Sequence, residues 1–193
     1  TMFRMGFGLN GSDAQTLLAM QQMQTVDVVN NSWGFDRPFD DNKLDPQAQQ
    51  FTQAITDAVT LGRGGLGTVI TFAAGNSFDS GDDVNYHNLQ NAPETIAVAS
   101  ISQDGQISSF STPGSAILVS APGEGIFTTD LVGPDGYDFS DYTSNFGGTS
   151  AAAPIVSGVV ALMLEANSDL GYRDVQEILA YTSVNPSGSD VGW

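Results

Sequence analysis

The sequence contains no cysteine, which excludes disulfide frameworks, thiolate metal sites and cysteine nucleophiles. It is also poor in positive charge: 5 Lys and Arg stand against 22 Asp and Glu, a formal net charge of −17. Nucleic acid and anionic membrane surfaces need clustered basic side chains, so neither is a partner for this chain. There is one histidine, His87, and so one imidazole for any acid–base work. Long hydrophobic runs are missing as well. The most apolar stretch, residues 151–164, is broken by Pro154, Ser157 and Gly158, too short for a bilayer, and reads as a buried helix. Residues 1–10 lack a basic start followed by an apolar run, so they are not a signal peptide.

What is present is a folding chain. With 193 residues, 40% hydrophobic and 9% aromatic, it can bury the core of one domain and is no acidic disordered tail. Residues 2–5 form a candidate strand, and Ser12 with Gln15 a capping box before a helix carrying Ala14, Leu17 and Leu18. Adjacent Val28 and Val29 mark 26–30 as a strand buried on both faces. Asp45-Pro46 opens a second helix, with Phe51, Ala54, Ile55, Ala58 and Val59 at helical spacing and Gly62 closing it. Residues 68–74, 95–99 and 117–119 are further short apolar runs between turn residues. Helices over 150–166 and 172–182 complete the pattern, the second opening at Gly171. Strands alternating with helices across crossover-length connections predict an α/β fold, a parallel sheet covered by helices on both faces. Residues 185–193 read as a loose tail.

Three segments carry chemistry. In Gly147-Gly148-Thr149-Ser150-Ala151-Ala152-Ala153-Pro154 a serine sits where a glycine turn enters a buried helix, whose N-terminus stabilises nearby negative charge. Pro154 falls in the first turn, where its missing N–H costs little. Taken alone, Ser150 reads first as an N-cap, with alanines filling a close contact. In Ala73-Ala74-Gly75-Asn76 an apolar strand runs into Gly-Asn at its carboxyl end, where open α/β sheets build sites and an Asn amide can meet an oxyanion. A plain Gly-Asn turn is the alternative. Asn30-Asn31-Ser32-Trp33-Gly34 ends another strand and can lay its backbone beside a peptide, or Trp33 can be a core aromatic. The Asp-rich loops at 40–41, 79–83 and 130–141 lack the spacing of a calcium loop and read as solvated surface.

In this order and spacing the three segments resemble the signatures of subtilisin-like serine peptidases, the subtilase family. Gly62-Arg63-Gly64-Gly65-Leu66-Gly67, Leu164-Glu165-Ala166-Asn167 and Arg173-Asp174-Val175-Gln176 resemble its kexin-like, or proprotein-convertase-like, branch. The resemblance implies a three-layer subtilisin-like sheet lacking its N-terminal strands and helices, with residues 1–184 as the C-terminal portion of the peptidase domain. It implies Ser150 as nucleophile and Asn76 as oxyanion donor. Ser32, Trp33, Gly34 and Thr149 would meet the substrate, and Ala73, Ala74 and Gly75 would wall the pocket for the residue before the cut. The family's triad Asp and His would lie upstream, so the isolated chain would be inactive alone. His87 has no His-Gly-Thr around it. The resemblance puts it on the specificity-pocket side, near where the kexin-like branch carries an acidic residue.

No cofactor is required for this chemistry. Asp82 stands where the branch places a Ca²⁺ ligand, making it the one metal candidate, while Thr112 occupies the region of an acidic partner. The resemblance further implies a polypeptide substrate, the missing N-terminal part of the same domain as partner, and a secreted or periplasmic location. The acidic surroundings favour a cationic substrate side chain. A non-catalytic relative that keeps the cleft for peptide binding or docking is the other reading.

Overall fold

The computed structural model describes residues 13–35 and 37–184. Four short apolar segments pair in parallel as β1 (Val28–Asn31), β2 (Val69–Ala73), β3 (Thr95–Ile101) and β4 (Ile117–Pro122), in the order β1-β2-β3-β4. Val28 lies opposite Val69, and Ile70 opposite Thr95. Every residue of β2 is buried, as expected of a strand with both faces covered. Alternation then divides it: Val69 and Ala73 face one layer, Ile70 and Phe72 the other.

The first layer is α3 (Thr149–Ala166) with α4 (Tyr172–Thr182), packing Ala152, Ala153, Val156, Val160, Leu164, Val175 and Leu179 on Val69, Ile96, Val98 and Val119. The second is α1 (Asp13–Met20) with α2 (Pro46–Leu61), placing Met20, Phe51, Ala54, Ile55, Ala58 and Val59 on Ile70 and Phe72. All but Met20, which lies in α1, are the residues whose helical spacing marks α2 in the sequence. Fully burying side chains such as Phe51 and Ile55 stabilises by about 1.5–3 kcal/mol each. The fold is the three-layer α/β sheet of the sequence reading. The candidate strand at 2–5, the Ser12 cap and the tail at 185–193 lie outside the described residues.

Several boundaries differ from the sequence reading. β1 starts at Val28 because residues 23–25 form a 3-10 turn whose Met23 carbonyl accepts the Val26 N–H. β3 and β4 run on to Ile101 and Pro122. Gly62 does more than stop α2. It begins a 3-10 turn, Gly62–Gly65, in which Arg63 takes φ 51°. The Arg63 guanidinium donates to the carbonyls of Gly67, Leu170 and Ser168 at 3.2, 2.9 and 2.8 Å, tying the end of α2 to the link between α3 and α4. Gly171 opens α4 by donating its N–H to Asp174 Oδ2 at 2.7 Å.

An antiparallel pair, β5 (Ile126–Thr129) and β6 (Tyr142–Phe146), leads into α3 and was not anticipated. Its strands are mostly exposed, so no apolar alternation marks them. The acidic link between them folds around Asp130, whose carboxylate accepts the N–H groups of Leu131 and Asp138, both at 2.8 Å. Those bonds, Asp138's foremost, hold the Asp130 carboxyl below the usual carboxylate range. Nor are all the acidic loops solvated: Asp41 is buried and accepts the Leu89 N–H at 2.7 Å.

Candidate active site

Parallel strands place their carboxyl ends on one rim, and β1, β2 and the start of α3 converge there. Ser32, Trp33 and Gly34 follow β1; Ala73 ends β2, and Ala74, Gly75 and Asn76 follow it; Thr149 and Ser150 open α3. All of these sequence-predicted residues line one open cleft. Phe35, Ser77, Asp82, His87 and Gln90 line it too.

Thr149 is fully buried and organises the serine end. Its N–H and its hydroxyl both donate to Asn76 Oδ1, at 2.9 and 3.0 Å, and its Oγ1 accepts the Gly75 N–H at 3.1 Å. An Asn carboxamide whose oxygen takes two donors has its orientation set, with the NH₂ turned away from them. Asn76 Nδ2 lies against Gly148, where a Cβ would stand 3.2 Å from it. Gly148 also adopts φ 108°, a conformation side-chain-bearing residues rarely take, so a glycine before Thr149 meets both demands.

The first N–H groups of a helix have no intrahelical acceptor, so each must be accounted for. Thr149 gives its N–H to Asn76, while Ala151 and Ala152 give theirs to the Gly148 carbonyl at 2.9 and 3.4 Å. Among the described residues none accepts the N–H of Ser150, which is half-exposed at the rim. Two donors, Asn76 Nδ2 and Ser150 N, are therefore left in the cleft that Ser150 lines.

The opposite lip is stitched on by side chains. Ser32 Oγ donates to the Ser150 carbonyl at 3.0 Å, and Asn30 Nδ2 donates to Ser32 Oγ at 3.0 Å. Asn31 is buried; it donates to the Thr71 carbonyl at 3.2 Å and accepts Trp33 Nε1 at 3.0 Å. Trp33 meets Phe72 edge-on, centroids 5.7 Å apart, so it is both a core aromatic and a wall of the cleft. The sequence reading offered those roles as alternatives.

His87 is buried, and its Nε2 lies 3.0 Å from both oxygens of Asp82. The chain's single imidazole is thus directed at a carboxylate and makes no hydrogen bond to Ser150. Asp82 makes a poor Ca²⁺ ligand in this setting. Calcium takes six to eight oxygens, yet both Asp82 oxygens face a ring N–H, and no cluster of three His, Asp or Glu occurs among the described residues. Thr112 is buried and serves the loop, accepting the Ser77 N–H at 3.0 Å and donating its own to the Gly75 carbonyl at 2.9 Å. Phe35, Ser77 and Gln90 are the lining residues that sequence reasoning missed, and nothing in Leu89-Gln90-Asn91 marks Gln90.

Comparison with known proteins agrees with this geometry. The family model described as the subtilase family, Peptidase S8, matches residues 2–192. Furin-1 of Xenopus laevis is 35% identical over 170 residues, 84% of this chain and 20% of that protein. Neuroendocrine convertase 2 of Mus musculus is 37% identical over 169 residues, 83% of this chain and 25% of that protein. The chain thus spans a fifth to a quarter of the length of these relatives. Among solved structures, a cold-adapted subtilisin-like serine proteinase matches with a TM-score of 0.71 at 25% identity, covering 97% of this chain and 61% of that one. The serine protease of Aeromonas sobria gives 0.78 at 25% identity, over 90% and 37%. A family model spanning nearly the whole chain, joined to a matching sheet and serine helix, leaves one assignment: the chain belongs to the subtilase family, with relatives in its kexin-like branch.

Proposed function

We propose that this chain supplies the nucleophile and oxyanion hole of a serine endopeptidase, and that the triad Asp and His come from a preceding part of the same domain. The observation that carries the reading is the Thr149–Asn76 pairing, which leaves Asn76 Nδ2 and the Ser150 N–H as two donors without an acceptor among the described residues, in the cleft that Ser150 lines. Ser150 Oγ attacks the scissile carbonyl carbon as its proton passes to the histidine base. The carbonyl oxygen becomes an oxyanion held by Asn76 Nδ2 and Ser150 N. Collapse expels the amine, protonated by the same base, and leaves an acyl ester on Ser150, which water then hydrolyses. No cofactor enters these steps. A structural Ca²⁺ at Asp82 would have to displace His87.

Two features support a partner segment from the same domain. β1 is an edge strand, paired only with β2 in the described sheet. Beside it α3 exposes Ile155, Val159 and Leu162, a stripe at helical spacing that a covering layer would bury. A polypeptide substrate and a secreted or periplasmic location belong to this reading. In the absence of its partner segment the chain would lack a base and be inactive.

A fluorophosphonate probe, which reacts with activated serines, tests it on the protein with its upstream sequence included. Label mapping to Ser150 and absent in Ser150→Ala is the expected result. A folded protein that takes no label would favour a cleft that binds peptide without cutting it.

A further inference from the structure

The floor of the cleft, away from Ser150, is polar and closed off. His87 is 2% exposed and Gln90 4%. With Nε2 at 3.0 Å from both Asp82 oxygens, Nε2 carries a proton that it donates to the carboxylate, and in that tautomer Nδ1 is an acceptor. Among the described residues that Nδ1 has no partner, and neither does Gln90 Oε1. Buried polar atoms are nearly always hydrogen-bonded, so two such orphans in one binding cleft point to a ligand that completes them. Gly34 forms the facing wall, and a Cβ on it would come 2.7 Å from Gln90 Nε2, so the glycine lets the Gln90 carboxamide lie against backbone.

Three kinds of substrate side chain can be weighed against this floor. An apolar one would leave both orphans buried without a partner. A cation would need an anion, and Asp82, the single carboxylate lining the cleft among the described residues, already has both oxygens on His87. The chain's overall negative charge acts through solvent that screens within about 10 Å, so it weighs less than contacts inside the pocket. We infer that the pocket selects a neutral hydrogen-bond donor, the carboxamide of Gln or Asn in the residue before the cut. Its NH₂ donates to His87 Nδ1 and Gln90 Oε1. This assignment departs from the cation favoured by charge balance, and it rests on the cleft being the peptidase site proposed above.

The test separates binding from turnover. The Ser150→Ala form of the protein, upstream sequence included, is titrated by fluorescence polarisation with tagged N-acyl peptides identical except for Gln, Arg or Leu at the position before the scissile bond. The Gln peptide is expected to bind about ten-fold tighter than either other. Gln90→Leu should cut the Gln-over-Leu ratio by about ten-fold. His87→Asp, which removes the acceptor ring and frees Asp82, should reverse the order of Gln and Arg; should it not fold, Gln90→Leu carries the test. Arg or Leu bound first, equal binding, or no binding overturns the assignment. Fluorophosphonate labelling of the unsubstituted protein reads the other question: label with Arg preferred overturns the pocket alone, whereas Gln preferred without label overturns the hydrolase alone.

Discussion

The two ends of the cleft solve opposite problems with similar side chains. At the serine end Asn76, Thr149 and Gly75 satisfy one another, and the free groups are two N–H donors at the rim. At the floor Asp82 engages one side of His87, while Nδ1 and Gln90 Oε1 are left without partners. A network that is complete before substrate arrives holds its donors still, which is what stabilising a transient oxyanion requires. An incomplete one stores a preference, because whatever completes it binds better than what does not. On the proposed function, the same cleft keeps reactivity and selection apart.

The largest test of that division is Ser150→Ala, expected to lower kcat by about 10⁶-fold while peptide affinity, set mainly at the floor, changes by less than about threefold. A comparable loss of affinity would show that the serine end selects as well. Asn76→Ala comes next, with an expected loss of about 10² to 10³ in kcat and little change in KM, because its NH₂ meets charge that exists only in the transition state. Steady-state kinetics on one peptide would separate the two parameters.

Much of the serine end is legible in the sequence because it is built from local rules. A glycine turn entering a helix, and an apolar strand ending in Gly-Asn, put Ser150 and Asn76 on one rim once the sheet is parallel. The α2 face is equally readable, since Phe51, Ala54, Ile55, Ala58 and Val59 recur at the helical period and are buried as that period implies; α3 reads as a helix but not by face, because its exposed side also carries Ile155, Val159 and Leu162. The floor is not readable. Gln90 has no motif, and the His87–Asp82 pair depends on a loop folding back under β2, with its 3-10 turn at 84–86 capped by Asp83 on the Asn85 N–H. β5 and β6 escaped for a related reason: they stay exposed, so burial leaves no period in their composition.

Gly148→Ala probes how far the serine end depends on backbone. A Cβ there meets Asn76 Nδ2 and demands φ 108° of an alanine, so a stability loss of about 1–3 kcal/mol is expected in urea denaturation. Activity should fall further than stability accounts for, because the same Cβ displaces the oxyanion donor. Thr149→Val is milder. It keeps the shape and the N–H bond but removes the hydroxyl that donates to Asn76 and accepts from Gly75, and should lower kcat by about ten-fold with KM unchanged. Thr149→Ser should recover most of that loss; failure to do so would make the threonine methyl, and not the hydroxyl, the positioning element.

The smallest expected effect is the sharpest test of the comparison. Removing a hydrogen-bonded polar group from a saturated network leaves its partners unpaired, whereas replacing a buried group that already lacks a partner removes a cost. Gln90→Leu deletes the orphan Oε1 at similar volume and leaves the backbone carbonyl that accepts the Thr95 hydroxyl. Its effect on the stability of the peptide-free protein should lie within about 0.5 kcal/mol of zero, or on the stabilising side, in the same urea series where Thr149→Val costs about 1–2 kcal/mol. A Gln90→Leu loss as large as the threonine's would mean that the floor is as saturated as the serine end. Neutral stability together with weakened Gln-peptide binding would mark Gln90 as a residue kept for what it holds, not for what it holds together.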